Sequence, residues 1–237
     1  MNIDGKDKKV AISDTIKIQK ENVRNVDIGL YESDKSDLRL DKYVSSITLT
    51  YGNTVKTYDY EDAKIAKIEI PANEVSNATV IVEYKIVVTN EAAIANYVRK
   101  IVDYIPAGMK FNSELNRDWY ESSNGDLYNS SLANTKLESG ESLEVTLTLT
   151  RKMTDNNLGI VNNNAEIYEV YNEEAVLDID STAGNKVTSE DDMSAADVVI
   201  SVKTGDAIIY TTIISTIICI ALGVSIFYIR KLVLRRM

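Results

Sequence analysis

The chain contains no histidine, one cysteine and two prolines in 237 residues. Without histidine it lacks the commonest general base and metal ligand. The single cysteine, Cys219, lies in an apolar run, so neither a disulfide framework nor a thiolate zinc site can be built. Positive charge is also short: 26 Lys and Arg face 36 Asp and Glu, a net charge of −10 with a pI near 4.7. Such a surface argues against nucleic acid and against adsorption to anionic lipid. No stretch has a convincing amphipathic-helix pattern. What remains is a strand-forming vocabulary of Thr, Val, Ile and Tyr. Catalytic chemistry would have to rest on carboxylates, and no paired acid pattern is visible.

The most informative stretch is Thr79–Gly108. Val80, Val82, Tyr84, Ile86 and Val88 recur with a period of two, while Glu83, Lys85 and Thr89 take the opposite face, the pattern of a strand with one face in a core. A short polar loop leads to a second strand with Tyr97, Ile101 and Ile105 on one face, stopped by Pro106 and Gly108. Asp103 falls on that apolar face.

Elsewhere, residues 1–36 show no signal peptide and read as the end of an upstream module plus a linker, implying an N-terminally incomplete chain. From Asp37, Leu38, Leu40 and Val44 share a face with Lys42, and the parity changes after Ser45–Ser46, as at a bulge or a second strand. Gly52-Asn53 marks a hairpin turn into Thr54–Tyr60; Ala66, Ile68 and Ile70 form a strand ended by Pro71. A polar stretch follows Gly108, with the only Trp and one or two short strands. Then come Leu143, Val145, Leu147 and Leu149, the cleanest alternation in the chain, and Val161, Asn163, Ala165 and Ile167. Asn163 is thus a third polar residue on a core face.

Short strands and frequent turns predict an all-β fold, an antiparallel immunoglobulin-like β-sandwich over residues 37–172. Residues 173–206 read as an acidic linker with a possible last strand at Ala196–Lys203. Residues 207–229 carry no charge and, at ~1.5 Å per residue, are long enough to cross the ~30 Å hydrocarbon core as a transmembrane helix. The basic tail 230–237 then predicts a cytoplasmic C-terminus and an outside N-terminal part, with the lipid bilayer as a partner.

Lys42, Asp103 and Asn163 come from strands far apart in sequence. They are either satisfied polar side chains near strand ends or the parts of a Lys–Asn isopeptide cross-link assisted by Asp103. In an apolar site the Lys pKa falls and the Asp pKa rises, which yields the neutral amine and neutral acid such a reaction needs.

VEYKIVVTN and VRKIVDYIPAGMKF, with DLRLDKYV before and VNNNAEI after, resemble the core of isopeptide-forming and related repeat domains of Gram-positive surface and fimbrial proteins. The resemblance covers about residues 26–205. It implies that Lys42 is the reactive amine, Asn163 the acceptor and Asp103, before the Pro106–Gly108 turn, the assisting acid. Asn162 and Asn164 flank Asn163, so the acceptor rests on strand parity. The implied role is a cell-surface structural or adhesive stalk, not an enzyme, with cell-wall or host-surface ligands as further partners. A single-pass sensor ectodomain and a glycan-binding surface protein, the latter using the Trp119–Tyr120 loop, are the alternatives.

Two further features stand apart. Asp178, Asp180, Asn185, Asp191 and Asp192 offer oxygen ligands of the kind calcium prefers, without EF-hand spacing; a solvated acidic linker is the other reading. No other cofactor is implied. The segment SVKTGD resembles a sortase sorting signal but has Ser201 and Val202 where Leu-Pro is recognised, which favours plain membrane retention.

Overall fold

The structure, a computed structural model, describes residues 35–203 and 214–220. Two sheets face each other across an apolar interior. The first has the strand order β2-β1-β4-β9-β6, the second β3-β11-β10-β5-β8-β7. The strands are β1 (Leu38–Tyr51), β2 (Thr54–Ala63), β3 (Ile65–Pro71), β4 (Thr79–Asn90), β5 (Tyr97–Tyr104), β6 (Lys110–Phe111), β7 (Trp119–Glu121), β8 (Leu127–Asn129), β9 (Ser142–Lys152), β10 (Gly159–Tyr171) and β11 (Met193–Lys203). The all-β sandwich expected from the sequence is present.

Alternation sets which side chains meet between the sheets. In β4 the five residues Val80 to Val88 at period two are all buried, and in β9 Val145, Leu147 and Leu149 are buried. The parity change after Ser45 is a β-bulge within one continuous strand, where the pairing of β1 with both neighbours slips between Val44 and Ser46. It lets Leu38, Leu40 and Val44 before it and Ile47 and Leu49 after it share one face.

The structure supplies the strand order, which the sequence left open, and corrects three details. β4 and β5 do not pair: the polar loop between them carries the chain from the first sheet to the second. In β5, irregular pairing with β10 buries Val98 while Tyr97 turns outward onto Tyr171, with ring centroids 5.7 Å apart. The sandwich is not purely antiparallel, because β11 runs parallel to β3 (Asp197 opposite Ile65, Lys203 opposite Pro71). Finally, β11 lies between β3 and β10 rather than beyond the sandwich, so the sheets draw on residues 38–203. Ala196, Val198 and Ile200 alternate inward there, just after the acidic stretch.

β1 and β11 run side by side across the two layers. The amide of Leu40 donates to the Asp191 carbonyl at 2.8 Å and that of Lys42 to Ser194 Oγ at 3.2 Å; at the far end, Tyr51, Pro71 and Lys203 line one shallow surface depression.

Of the expected transmembrane segment, residues 214–220 are helical; the rest of 207–229, the tail and residues 1–34 lie outside the described residues. No helix among the described residues is long and apolar enough to cross a membrane.

Leu147 is fully buried and Val55 on edge strand β2 is 68 % exposed. Leu147→Ala is expected to lower the unfolding free energy by about 2–5 kcal/mol, and Val55→Ala to change it by no more than about 0.5 kcal/mol. Guanidinium unfolding monitored by Trp119 fluorescence checks both.

Candidate functional site

The three polar residues singled out from sequence meet in the interior. Lys42, Asp103 and Asn163 each have 0 % exposure. On β1, Lys42 stands opposite Ile86 of β4, which makes Tyr84 its diagonal neighbour on the inward face; the Lys42 ammonium lies 4.7 Å from the Tyr84 ring centroid. On the second sheet Asp103 of β5 is opposite Ala165 of β10, so Asn163, two residues back, is its diagonal neighbour. Each sheet contributes one diagonal pair, and the two pairs face across the gap. Lys42 Nζ spans it to bond Asp103 Oδ2.

Burial dominates the electrostatics. It pushes the Lys42 amine below the usual lysine range and the Asp103 carboxyl above the usual carboxylate range, and in both cases outweighs the attraction within the pair. Each is driven towards its neutral form. The same burial pushes the Tyr84 phenol up, so it remains protonated. Asn163 lies close enough to Asp103 and to Tyr84 to favour the charged form of each. Yet neither Oδ1 nor Nδ2 of Asn163 completes a hydrogen bond, and Asp103 Oδ1 and the Tyr84 hydroxyl are likewise unpartnered.

Among the described residues that is exceptional for a buried asparagine. The other buried asparagines, Asn90, Asn96, Asn116, Asn129 and Asn172, all make hydrogen bonds. Asn116, for example, donates to the Thr148 carbonyl at 2.9 Å and accepts from its amide at 2.7 Å. A buried amide with nothing to bond to is costly, so Asn163 is a site of unused polar capacity. Its neighbours settle the parity question: Asn162 is exposed and bonds Asp197, and Asn164 bonds Asn162, on the other face.

Tyr84 was read from sequence only as a core residue. Its alternation with valines and isoleucines hides it; the signal was a hydroxyl on a strictly inward position.

The five residues proposed as calcium ligands do not form one group. Asp180 and Asp191 come together with Asp37, which was not foreseen, while Asp178 stands beside them and bonds the Leu38 amide at 2.9 Å. Asn185 is exposed and bonds Glu190 at 2.8 Å. Asp192 is 2 % exposed and faces Glu166 and Glu190. The stretch is therefore not a uniformly solvated linker. It folds back on the sandwich, with Ser36 bridging Leu177 and Ile179, and with the Gly184 amide on the Ile167 carbonyl. At Gly184, φ is +75°, and a Cβ would stand 3.1 Å from the Tyr168 carbonyl, so a side chain there would push the loop off β10.

Trp119 is 4 % exposed and donates its indole N–H to the Thr146 carbonyl at 2.7 Å, so it is a core residue and presents no face for stacking on a sugar.

No known protein-family description matches the chain, and no curated protein matches it. Among solved structures, the CARDB domain of the PF1109 protein of Pyrococcus furiosus is similar in two forms. The crystal structure in complex with di-metal ions has 12 % identity and a TM-score of 0.35, covering 73 % of this chain and 100 % of that one. The solution NMR structure has 15 % identity and a TM-score of 0.32, covering 71 % and 98 %. These values are too low to transfer a fold or a function.

Removing the acid strands the amine in an apolar gap. Asp103→Ala is therefore expected to be less stable, by about 3–5 kcal/mol, than the Lys42→Met/Asp103→Ala double variant, which buries no amine. Denaturant unfolding of the two proteins checks the order.

Proposed function

We propose that the chain is a membrane-anchored, cell-surface stalk module whose sandwich is tied by an intramolecular isopeptide bond between Lys42 and Asn163. The observation that supports this reading is the unpartnered Asn163 carboxamide beside Asp103, which already holds the Lys42 amine, in an otherwise apolar interior.

The step balances without a cofactor. A proton passes from the Lys42 ammonium to Asp103, leaving a neutral amine and a neutral acid, the forms that burial favours. Lys42 Nζ attacks Asn163 Cγ, and the carboxamide oxygen gains negative charge. Asp103 donates a hydrogen bond to the carboxamide and then delivers a proton to Nδ2. The Cγ–Nδ2 bond breaks as the Cγ–Nζ amide forms: ammonia leaves with the first proton, Nζ gives its second to the Asp103 carboxylate, and Asp103 ends as the neutral acid. Tyr84, kept as a phenol, supplies a second O–H donor for the developing oxyanion. This is a single turnover within one chain, not enzyme catalysis on an external substrate.

The bond would close a loop of about 120 residues, a restriction of the unfolded chain of about 5 kcal/mol in the entropic treatment used for disulfides. It needs neither oxidant nor cysteine, which suits a chain whose only Cys lies in its apolar C-terminal run.

An intact mass of the folded protein should be low by one ammonia, and digestion should release a branched peptide joining the segments around Lys42 and Asn163. Asp103→Ala should restore the full mass, and Tyr84→Phe should slow the ammonia loss. An unmodified mass for the folded wild type would leave a β-sandwich spacer without the bond.

The uncharged run at 207–229 and its basic tail support the placement: sandwich outside, C-terminus in the cytoplasm. Protease added to intact protoplasts is expected to remove residues before Asp206 and spare the tail; protection of the sandwich would reverse the topology.

A further inference from the structure

The pole at which β11 ends differs in charge from the opposite one. Lys56, Lys67 and Lys203 surround a shallow depression over the buried Leu49 and Ile68, with Tyr51 and Tyr58 beside them and a single acid, Glu69. Among the described residues no acid lies within ion-pair distance of Lys56 or Lys67. Acids crowd the other pole, where Asp37, Asp180 and Asp191 present carboxylate oxygens within 4.8 Å of one another. The net charge of −10 conceals this polarity along the sandwich.

A second observation is the short length of chain that follows β11. Lys203 stands four residues before Ala207, where the uncharged run begins. Four residues reach at most about 14 Å. On the reading that residues 207–229 cross the membrane, on which this inference rests, Lys203 lies no farther than that from the hydrocarbon. Headgroups fill roughly 5–7 Å of the distance. The remainder is about one Debye length, ~8 Å at physiological ionic strength, so charges on this pole are not screened from the lipid phosphates.

We infer that this pole docks on the anionic headgroups of the membrane that anchors the chain. Lys56, Lys67 and Lys203 take lipid phosphates, as basic residues next to a membrane span do. Tyr51 and Tyr58 sit at the headgroup level that tyrosines favour. The acidic pole is repelled by the same layer, so the charges at both ends select one orientation, with β11 running down to the surface. The sandwich then stands on the bilayer instead of swinging on its tether.

Lysine acetylation of the full chain in lipid nanodiscs, mapped by peptide mass spectrometry, tests the docking. Lys56 and Lys67 should react several-fold more slowly in discs containing phosphatidylglycerol than in discs of phosphatidylcholine alone, and high salt should remove the difference. Lys136, beside the Leu137 bridge at the acidic pole, should react equally in both. Lys56→Glu/Lys67→Glu should release Lys203 to its rate in phosphatidylcholine; a Lys203 still protected there overturns the inference. A wild-type chain that does not stay with the discs overturns the anchor and the docking together. A chain retained in the discs whose Lys56 and Lys67 react equally in the two lipids overturns the docking alone. Protection by a soluble glycerol phosphate polymer in phosphatidylcholine discs would assign the pole to a free polyanion and likewise overturn it.

Discussion

The cost of holding the Lys42 amine between two apolar sheets governs the rest of the interior. An ammonium out of water must find an opposite charge or lose its proton. Here both remedies point at Asp103, and both require β1 and β5 to face each other with correct parity in different sheets. A one-residue slip in either strand would turn one partner to solvent and leave the other buried alone. The bulge after Val44 and the irregular pairing around Glu169 lie outside the facing segments, so the sheets bend without disturbing that match.

The interior distinguishes two kinds of buried polar residue. Asn90, Asn96 and Asn172, with Ser36, form a closed network around the start of β1, where amide and hydroxyl groups satisfy one another. Such a network secures a loop and is chemically finished. Asn163, Asp103 and Tyr84 lie close together and each keeps a polar atom without a partner. Unused hydrogen-bonding capacity in a dry site is energetically costly unless a reaction or an ion consumes it. Asp192 is likewise enclosed, with two carboxylate oxygens that accept no hydrogen bond. A chain with a net charge of −10 has little cationic side-chain capacity to spare for it.

How much of this was readable from sequence follows from the range of each signal. Period-two alternation is local, and it placed Lys42, Asp103 and Asn163 on inward faces and marked a parity change after Ser45, without deciding between a bulge and a second strand. It carries no information on which strand lies next to which. The separation of β4 from β5, the parallel pairing of β11 with β3 and the insertion of β11 beside β10 were therefore hidden. Tyr84 escaped notice because a tyrosine among valines in a core strand looks like packing. Asp37 and Glu166 escaped notice as partners of the acidic loop because they lie far from it in sequence. The acidic composition of residues 173–197 suggested solvation, whereas Gly184 and the amides around Ser36 fold that stretch onto the sandwich.

The side-by-side course of β1 and β11 has a geometric consequence. The chain reaches β1 at the end of the sandwich where Asp191 and Ser194 lie, and leaves β11 beside Tyr51 and Pro71 at the other. Eleven residues of strand, at ~3.3 Å each, separate those points by about 36 Å. The sandwich is thus a strut crossed lengthwise, with its connections at opposite poles. A string of such units would lie head to tail along a single axis, and each would add its full length to the reach of whatever stands at the tip.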